Sequence, residues 1–205
     1  MATLTRGMDT AAKAALATAL EDPIFEVLPL KNLPDQIPHL PAGALVSVTA
    51  SPAKGIDATL DWAARLHADG FRAIPHLSAR MIVDRAKLSE LLVRAREAGL
   101  TRVFVVGGDA DEPGEYLDGL SLLKAMTELG HPFETIGCGG YPQGHPTIPD
   151  AALAQALIDK APYVAHVTTQ MDFDTKAIAT WVHARRAEGF KPHFIVGVPG
   201  VSDPQ

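Results

Sequence analysis

Six apolar stretches of this sequence each end in polar side chains that can hold a proton or form a hydrogen bond. In chain order these are Glu26, Thr49 with Ser51, His76, Asp109, Tyr141 with His145, and Gln170 with Asp172. If the stretches are parallel strands, their carboxyl ends meet at one rim, which is where α/β folds build active sites. The sequence therefore predicts a single site assembled from six strand ends.

Glu26 has the most definite chemical role among these residues. It stands between Phe25 and Val27 in an apolar run, and burial among apolar groups raises the pKa of a carboxyl. A carboxyl that stays protonated near neutral pH can act as a general acid. The alternative is a structural glutamate paired with an arginine.

Two glycine-rich segments offer backbone rather than side chains to a ligand. In 107–109, Gly-Gly-Asp, glycine allows close approach of a flat ring and Asp109 can accept its hydrogen bonds, although this is also ordinary turn chemistry. Segment 137–142 matches neither the phosphate loop nor the dinucleotide fingerprint. We interpret it as a turn whose amides face a phosphate or a ring, with Cys138 structural. His76 and His145 lack metal-site spacing, so no metal is expected.

The elements that must position these residues follow a repeat of about 30 residues, in which a helix ends at glycine and an apolar strand follows. The marker glycines are 70, 99, 130 and 189. Seven strands are predicted, at 24–27, 45–49, 72–75, 103–106, 133–136, 164–168 and 194–198. Their continuous apolar character is typical of parallel strands covered on both faces.

This repeat predicts an α/β fold, a (β/α)8 TIM-type barrel, with a doubly wound open sheet as the alternative. We expect one domain over 1–205, with 1–22 a peripheral N-terminal helix. The last strand–helix unit of the barrel is not found in the sequence, so either the chain stops early or a partner closes the barrel.

Composition limits the partners. The 205 residues are 47% hydrophobic and 20% charged, with a net charge of −6. A mildly acidic chain lacks the excess positive charge with which proteins bind nucleic acid or anionic membranes, so neither is expected as a partner. A single cysteine and the lack of a signal or membrane-spanning run favour the cytoplasm. A homo-oligomer is left open.

The rim motifs, taken in order, resemble those of methylenetetrahydrofolate reductase. The matching segments are 25–27 (Phe-Glu-Val), 46–49 (Val-Ser-Val-Thr), 75–77 (Pro-His-Leu), 108–109 (Gly-Asp), 141–146 (Tyr-Pro-Gln-Gly-His-Pro), 169–174 (Thr-Gln-Met-Asp-Phe-Asp) and 195–200 (Ile-Val-Gly-Val-Pro-Gly). The resemblance covers about residues 24 to 200 and implies a (β/α)8 barrel.

The resemblance implies an oxidoreductase that interconverts 5,10-methylenetetrahydrofolate and 5-methyltetrahydrofolate with NADH or NADPH, with FAD as the usual hydride relay. It implies that Glu26 is the general acid and that Asp109 is catalytic and lies beside the pterin. The folate-binding residues implied are Gln170, Asp109, Thr49 and Phe173. The cofactor-binding residues implied are Thr49, His76, Gly108, Tyr141 and His145.

Two departures bear on the flavin. The family's arginine before Gly-Asp is Gly107 here, and its lysine before the Thr-Gln strand has only Lys160 nearby, out of register. Those cations normally help to hold the flavin phosphates. FAD binding and direct hydride transfer both stay open. The other hypotheses are a folate-dependent methyl transferase or lyase, and a non-catalytic or partner-dependent barrel that binds folate or a nucleotide.

Overall fold

The computed structural model describes residues 9–200, in which strands and helices alternate along the chain. The strands are β1 Ile24–Val27, β2 Leu45–Val48, β3 Arg72–Ser78, β4 Arg102–Val106, β5 Thr135–Gly140, β6 His166–Thr169 and β7 His193–Ile195. The helices are α1 Thr10–Glu21, α2 Leu33–Gln36, α3 Gly55–Ala68, α4 Arg85–Glu97, α5 Gly119–Leu129, α6 Asp150–Lys160 and α7 Thr175–Ala187.

The seven strands form one curled parallel sheet in the order β1-β2-β3-β4-β5-β6-β7. A doubly wound sheet reverses its strand order at a switch point, whereas a barrel adds each new strand beside the last. The sequential order therefore confirms the TIM-type fold and excludes the doubly wound alternative. The described strands make a half-barrel of the TIM type.

Alternate residues of each strand face opposite sides of the sheet. Val46, Val48, Val103 and Val105 pack against the helices in the main hydrophobic core. The residues between them, such as Ser47 and Phe104, face the concave side. The core thus lies outside the half-barrel, and the concave side is left free for polar and aromatic groups.

The ends of the helices match the predicted markers. Gly70, Gly99, Gly130 and Gly189 all have positive φ, between 69° and 92°, at or just after a helix end. Glycine adopts this backbone conformation without the steric cost that a β-carbon brings. The predicted helices therefore end at the predicted glycines.

The prediction of a turn at 137–142 is wrong over 137–140, because these residues form the end of β5. None of the three glycines there has a positive φ. Glycine is required by close packing: a β-carbon on Gly137 would lie 2.2 Å from His166 Nε2, and one on Gly140 would lie 2.6 Å from Val167 Cγ1. Composition alone did not distinguish a turn from a tightly packed strand.

The predicted N-terminal helix over 1–22 is described only in part, since residues 1–8 lie outside the described range. Helix α1 begins after Asp9, whose side chain accepts a hydrogen bond from Ala12 N, and none of its residues is buried. No helix within 9–200 combines the length and apolar character needed to cross a membrane.

Candidate active site

Glu26 and Thr49 form the first corner of the concave rim. Glu26 on β1 is paired in register with Ser47 on β2, and Thr49 directly follows β2. The Thr49 hydroxyl donates a hydrogen bond to Glu26 Oε1 at 2.9 Å. This bond holds a carboxylate oxygen at the rim in a defined orientation.

The environment predicted for Glu26 is wrong. Its side chain is exposed rather than enclosed by apolar groups, and within 9–200 it makes no ion pair with an arginine. Phe25 and Val27 flank it in sequence but point to the other face of the sheet, because neighbouring residues of a strand alternate. The apolar residues on either side of Glu26 therefore pack against the core on one face of β1, while Glu26 lies on the other face.

A buried polar pair lies beneath this corner. His76 on β3 is 6% exposed, and its Nε2 lies 2.5 Å from Ser47 Oγ. The imidazole packs against Phe104 with ring centroids 4.7 Å apart, and Phe104 lies 6.3 Å from the ring of His166. These side chains form the floor of the concave side.

Burial sets the protonation state of this floor. Loss of solvation lowers the pKa of His76 to about 4, although the nearby Glu26 carboxylate acts in the opposite direction. Burial also lowers the pKa of His166, and Arg102 and His193 add to this effect by charge repulsion. Both imidazoles are therefore neutral at pH 7, and the hydrogen bond between His76 and Ser47 joins two uncharged groups.

Tyr141 and Gln170 form the opposite corner. The space a β-carbon would take on Gly139 is bordered by Tyr141 Oη at 3.8 Å and by Gln170 Nε2 at 4.0 Å. His145 meets Tyr141 edge to face, with centroids 5.4 Å apart. Burial raises the pKa of Tyr141, so its hydroxyl is a neutral donor. This corner offers hydrogen-bonding groups beside the glycine-rich end of β5.

The segment after β4 carries Gly108 and Asp109. A β-carbon on Gly108, whose φ is 87°, would lie 2.0 Å from Ser78 Oγ, so only glycine fits this turn. Asp109 is exposed. Arg80 ties the segment down: its Nε donates to Ala110 O at 2.8 Å, and its backbone N donates to Gly107 O at 3.0 Å.

Arg80→Met should lower the free energy of unfolding by about 1–3 kcal/mol, because it removes a charge-assisted hydrogen bond to the half-buried carbonyl of Ala110. Segment 107–112 should also exchange its amide hydrogens faster. Denaturant unfolding and hydrogen exchange measure the two effects. Arg80→Lys, which keeps the charge without the planar fork, should lose most of the same stability. Wild-type stability and exchange in Arg80→Met would show that Arg80 does not hold the segment.

The segment after β6 contains two kinds of residue, those that fix the loop and those that are exposed at the rim. Asp174 caps α7 by accepting from Lys176 N and Ala177 N, each at 3.0 Å, and Asp172 Oδ1 accepts from Asp174 N at 2.8 Å. Phe173 is 77% exposed and Met171 65% exposed. The two aspartates therefore shape the loop, and the apolar side chains between and before them remain available to a ligand.

The structure thus brings Glu26 to Thr49, and Tyr141 to His145 and Gln170, on two sides of the concave face. It adds Ser47, Phe104, His166 and Arg80, which the sequence reasoning did not select. Three of these lie on the concave side, where the alternation of strand residues would have found them. No group of three His, Cys, Asp or Glu residues within 9–200 is arranged to hold a metal ion.

Two comparisons with known proteins bear on this architecture. The crystal structure of a protein provisionally named a lyase/mutase, from Burkholderia cenocepacia J2315, is similar in fold. Its TM-score is 0.53 and its sequence identity 19%, over 94% of this chain and 75% of that one. An identity this low supports the shared fold alone.

The second comparison concerns the sequence. The sequence model of the family described as methylenetetrahydrofolate reductase matches residues 26–202. The match begins at Glu26 and extends over every rim segment described above, so it covers both corners of the site and the barrel strands that carry them. On this match, and with the barrel order of its strands, the chain belongs to the methylenetetrahydrofolate reductase family.

Proposed function

We propose that this protein is an oxidoreductase of one-carbon folate metabolism that interconverts 5,10-methylenetetrahydrofolate and 5-methyltetrahydrofolate with NAD(P)H and without tightly bound FAD. The observation that carries the proposal is the Glu26–Thr49 pair, at 2.9 Å, at the rim of a barrel of this family. A family fold alone does not fix a reaction, so the residues at the rim must supply the specific chemistry.

The reaction needs one proton and one hydride. In the reductive direction, a proton reaches N10 of the folate as its bond to the methylene carbon breaks, which leaves an iminium at N5. Hydride from the nicotinamide then adds to that carbon and gives the methyl group. Methylenetetrahydrofolate, NAD(P)H and a proton become methyltetrahydrofolate and NAD(P)⁺, and a positioned acid accelerates the first step.

Glu26 is suited to supply this proton, since Thr49 orients its carboxyl and its exposed position lets it exchange protons with solvent before a substrate binds. Asp109 and Gln170, both exposed at the rim, would bind the pterin by hydrogen bonds. Phe173 offers an aromatic face to it. His76, Gly108, Tyr141 and His145 would border the nicotinamide nucleotide.

The charges at the rim do not fit the two phosphates of FAD. Position 107 is glycine, and Arg80, the cation beside it, donates to the carbonyls of Ala110 and Asp111. The residues that follow include Asp109, Asp111 and Glu112. Carboxylates therefore outnumber free cations where a diphosphate would need them.

The test is NADH oxidation by the purified protein with methylenetetrahydrofolate, in parallel samples with and without added FAD. We expect turnover without flavin and no increase when FAD is added; NADPH replaces NADH in a second pair of samples. Turnover only with FAD would overturn direct hydride transfer. Folate binding without oxidation of either nucleotide would overturn the oxidoreductase proposal and favour a transferase or a binding protein.

A further inference from the structure

A cavity of about 550 Å³ lies between β5, α6 and α7, on the helix side of the sheet. Its volume is within the range of about 300–1,000 Å³ typical of small-molecule pockets. Gly140, Lys160, Trp181 and Arg185 are among the residues that line it. The Glu26–Thr49 corner and the His76 floor lie on the other side of the sheet, whereas Gly139 and Tyr141 border both spaces.

The cavity results from small residues on both of its walls. The end of β5 has no side chain at Gly140, and α6 presents Ala151, Ala154 and Ala156. Helices α3 to α6 pack each on the next, whereas α6 and α7 do not pack on each other in this way. Trp181 is held against the strand, because a β-carbon on Gly140 would lie 2.7 Å from its Cη2. The cavity therefore has a fixed aromatic wall.

Positive charge in this cavity is only partly neutralised. The Arg185 side chain is 13% exposed, and its Nη2 pairs with Glu188 Oε1 at 2.5 Å. Its Nε is buried and donates to no acceptor within 9–200, and a buried donor without a partner is rare in folded proteins. Lys160, on the opposite wall, makes no ion pair in the described part of the chain. Asp150 is the acidic lining residue, exposed at the start of α6.

We propose that this cavity is a second ligand site for a small organic anion, whose phosphate or carboxylate binds Arg185 and Lys160 and whose flat body packs on Trp181. Arg185 and Lys160 line facing walls of the cavity, so the two cations suit the oxygens of one anion placed between them. Trp181 supplies apolar contact area at little cost in conformational entropy. The proposal does not depend on the reaction at the rim.

Fluorescence of Trp181 tests this site directly. The chain has two tryptophans, so Trp62→Phe leaves Trp181 as the reporter. Adenosine monophosphate and benzoate serve as phosphate and carboxylate probes, and the tighter one identifies the anion. We expect a saturable change in emission. Arg185→Gln in the same background should weaken binding at least tenfold, since a charge-assisted pair contributes roughly 1.5–3 kcal/mol.

Two further variants make the test specific. Lys176→Gln removes one positive charge from α7 outside the cavity and should bind the probe as the parent does. Ala154→Phe fills the cavity and should abolish binding while the circular dichroism spectrum is retained. Emission that does not change up to millimolar probe, or equal loss of affinity in Arg185→Gln and Lys176→Gln, would overturn the proposal.

Discussion

In the proposed reaction, Glu26→Gln should reduce the turnover of methylenetetrahydrofolate about 10²–10⁴-fold, the usual contribution of a general acid. Glutamine keeps the shape of the side chain and can still accept the hydrogen bond from Thr49, which spans 2.9 Å in the wild type. It cannot release a proton to N10. The loss should therefore appear mainly in kcat, with KM for the folate changed little. Steady-state NADH oxidation measures both constants.

Thr49→Val separates orientation from acidity in the same reaction. It leaves the Glu26 carboxyl in place and removes the hydroxyl that orients it, so its kcat should lie between those of the wild type and Glu26→Gln. Because Glu26 is exposed, neither variant should lower the thermal unfolding temperature much, and unfolding curves check this. If correctly folded Glu26→Gln has the kcat of the wild type, Glu26 is not the general acid of the reaction.

The strands and helix ends could be predicted because each depends on local chemistry. Gly99 and Gly189 end their helices in the left-handed conformation that glycine adopts freely. The barrel order followed from the regular spacing of the repeat. Residues at the rim were found for a similar reason, since a polar side chain after an apolar run marks a strand end.

The surroundings of those residues could not be predicted, because they depend on which face of a strand a side chain occupies and on its neighbours across the sheet. Glu26 follows this rule: its neighbours in sequence are apolar, yet it faces Ser47 and Thr49. The end of β5 was mistaken for a turn because its glycines are required by contact with His166 and Val167, which lie about 30 residues away in the chain. Side chains such as Arg80 act on a distant segment and leave no local signal.

The His76–Ser47 pair should make the protein sensitive to acid. The pKa of His76 is about 4 in the folded protein and about 6.5 in an unfolded chain. Between these values the unfolded chain binds a proton that the folded chain does not, so stability increases with pH in this window. As the pH falls from about 6.5 to about 4, the free energy of unfolding should decrease by about 3 kcal/mol. Denaturant unfolding at a series of pH values measures this decrease.

A variant without the His76 imidazole shows whether His76 causes this dependence of the free energy of unfolding on pH. His76→Gln keeps a hydrogen-bonding side chain beside Ser47, so it should unfold with a smaller free energy at pH 7 but with a much flatter pH dependence. His39→Gln removes an exposed histidine and should keep the wild-type slope. His166 and His131, whose pKa values burial also lowers, contribute to the dependence that remains in His76→Gln, as does Asp57, whose pKa the hydrogen bonds from Lys87 and Arg94 lower. An equal slope in His76→Gln and the wild type would mean that His76 binds its proton in the folded and unfolded chains alike, and that the floor of the site is open to water.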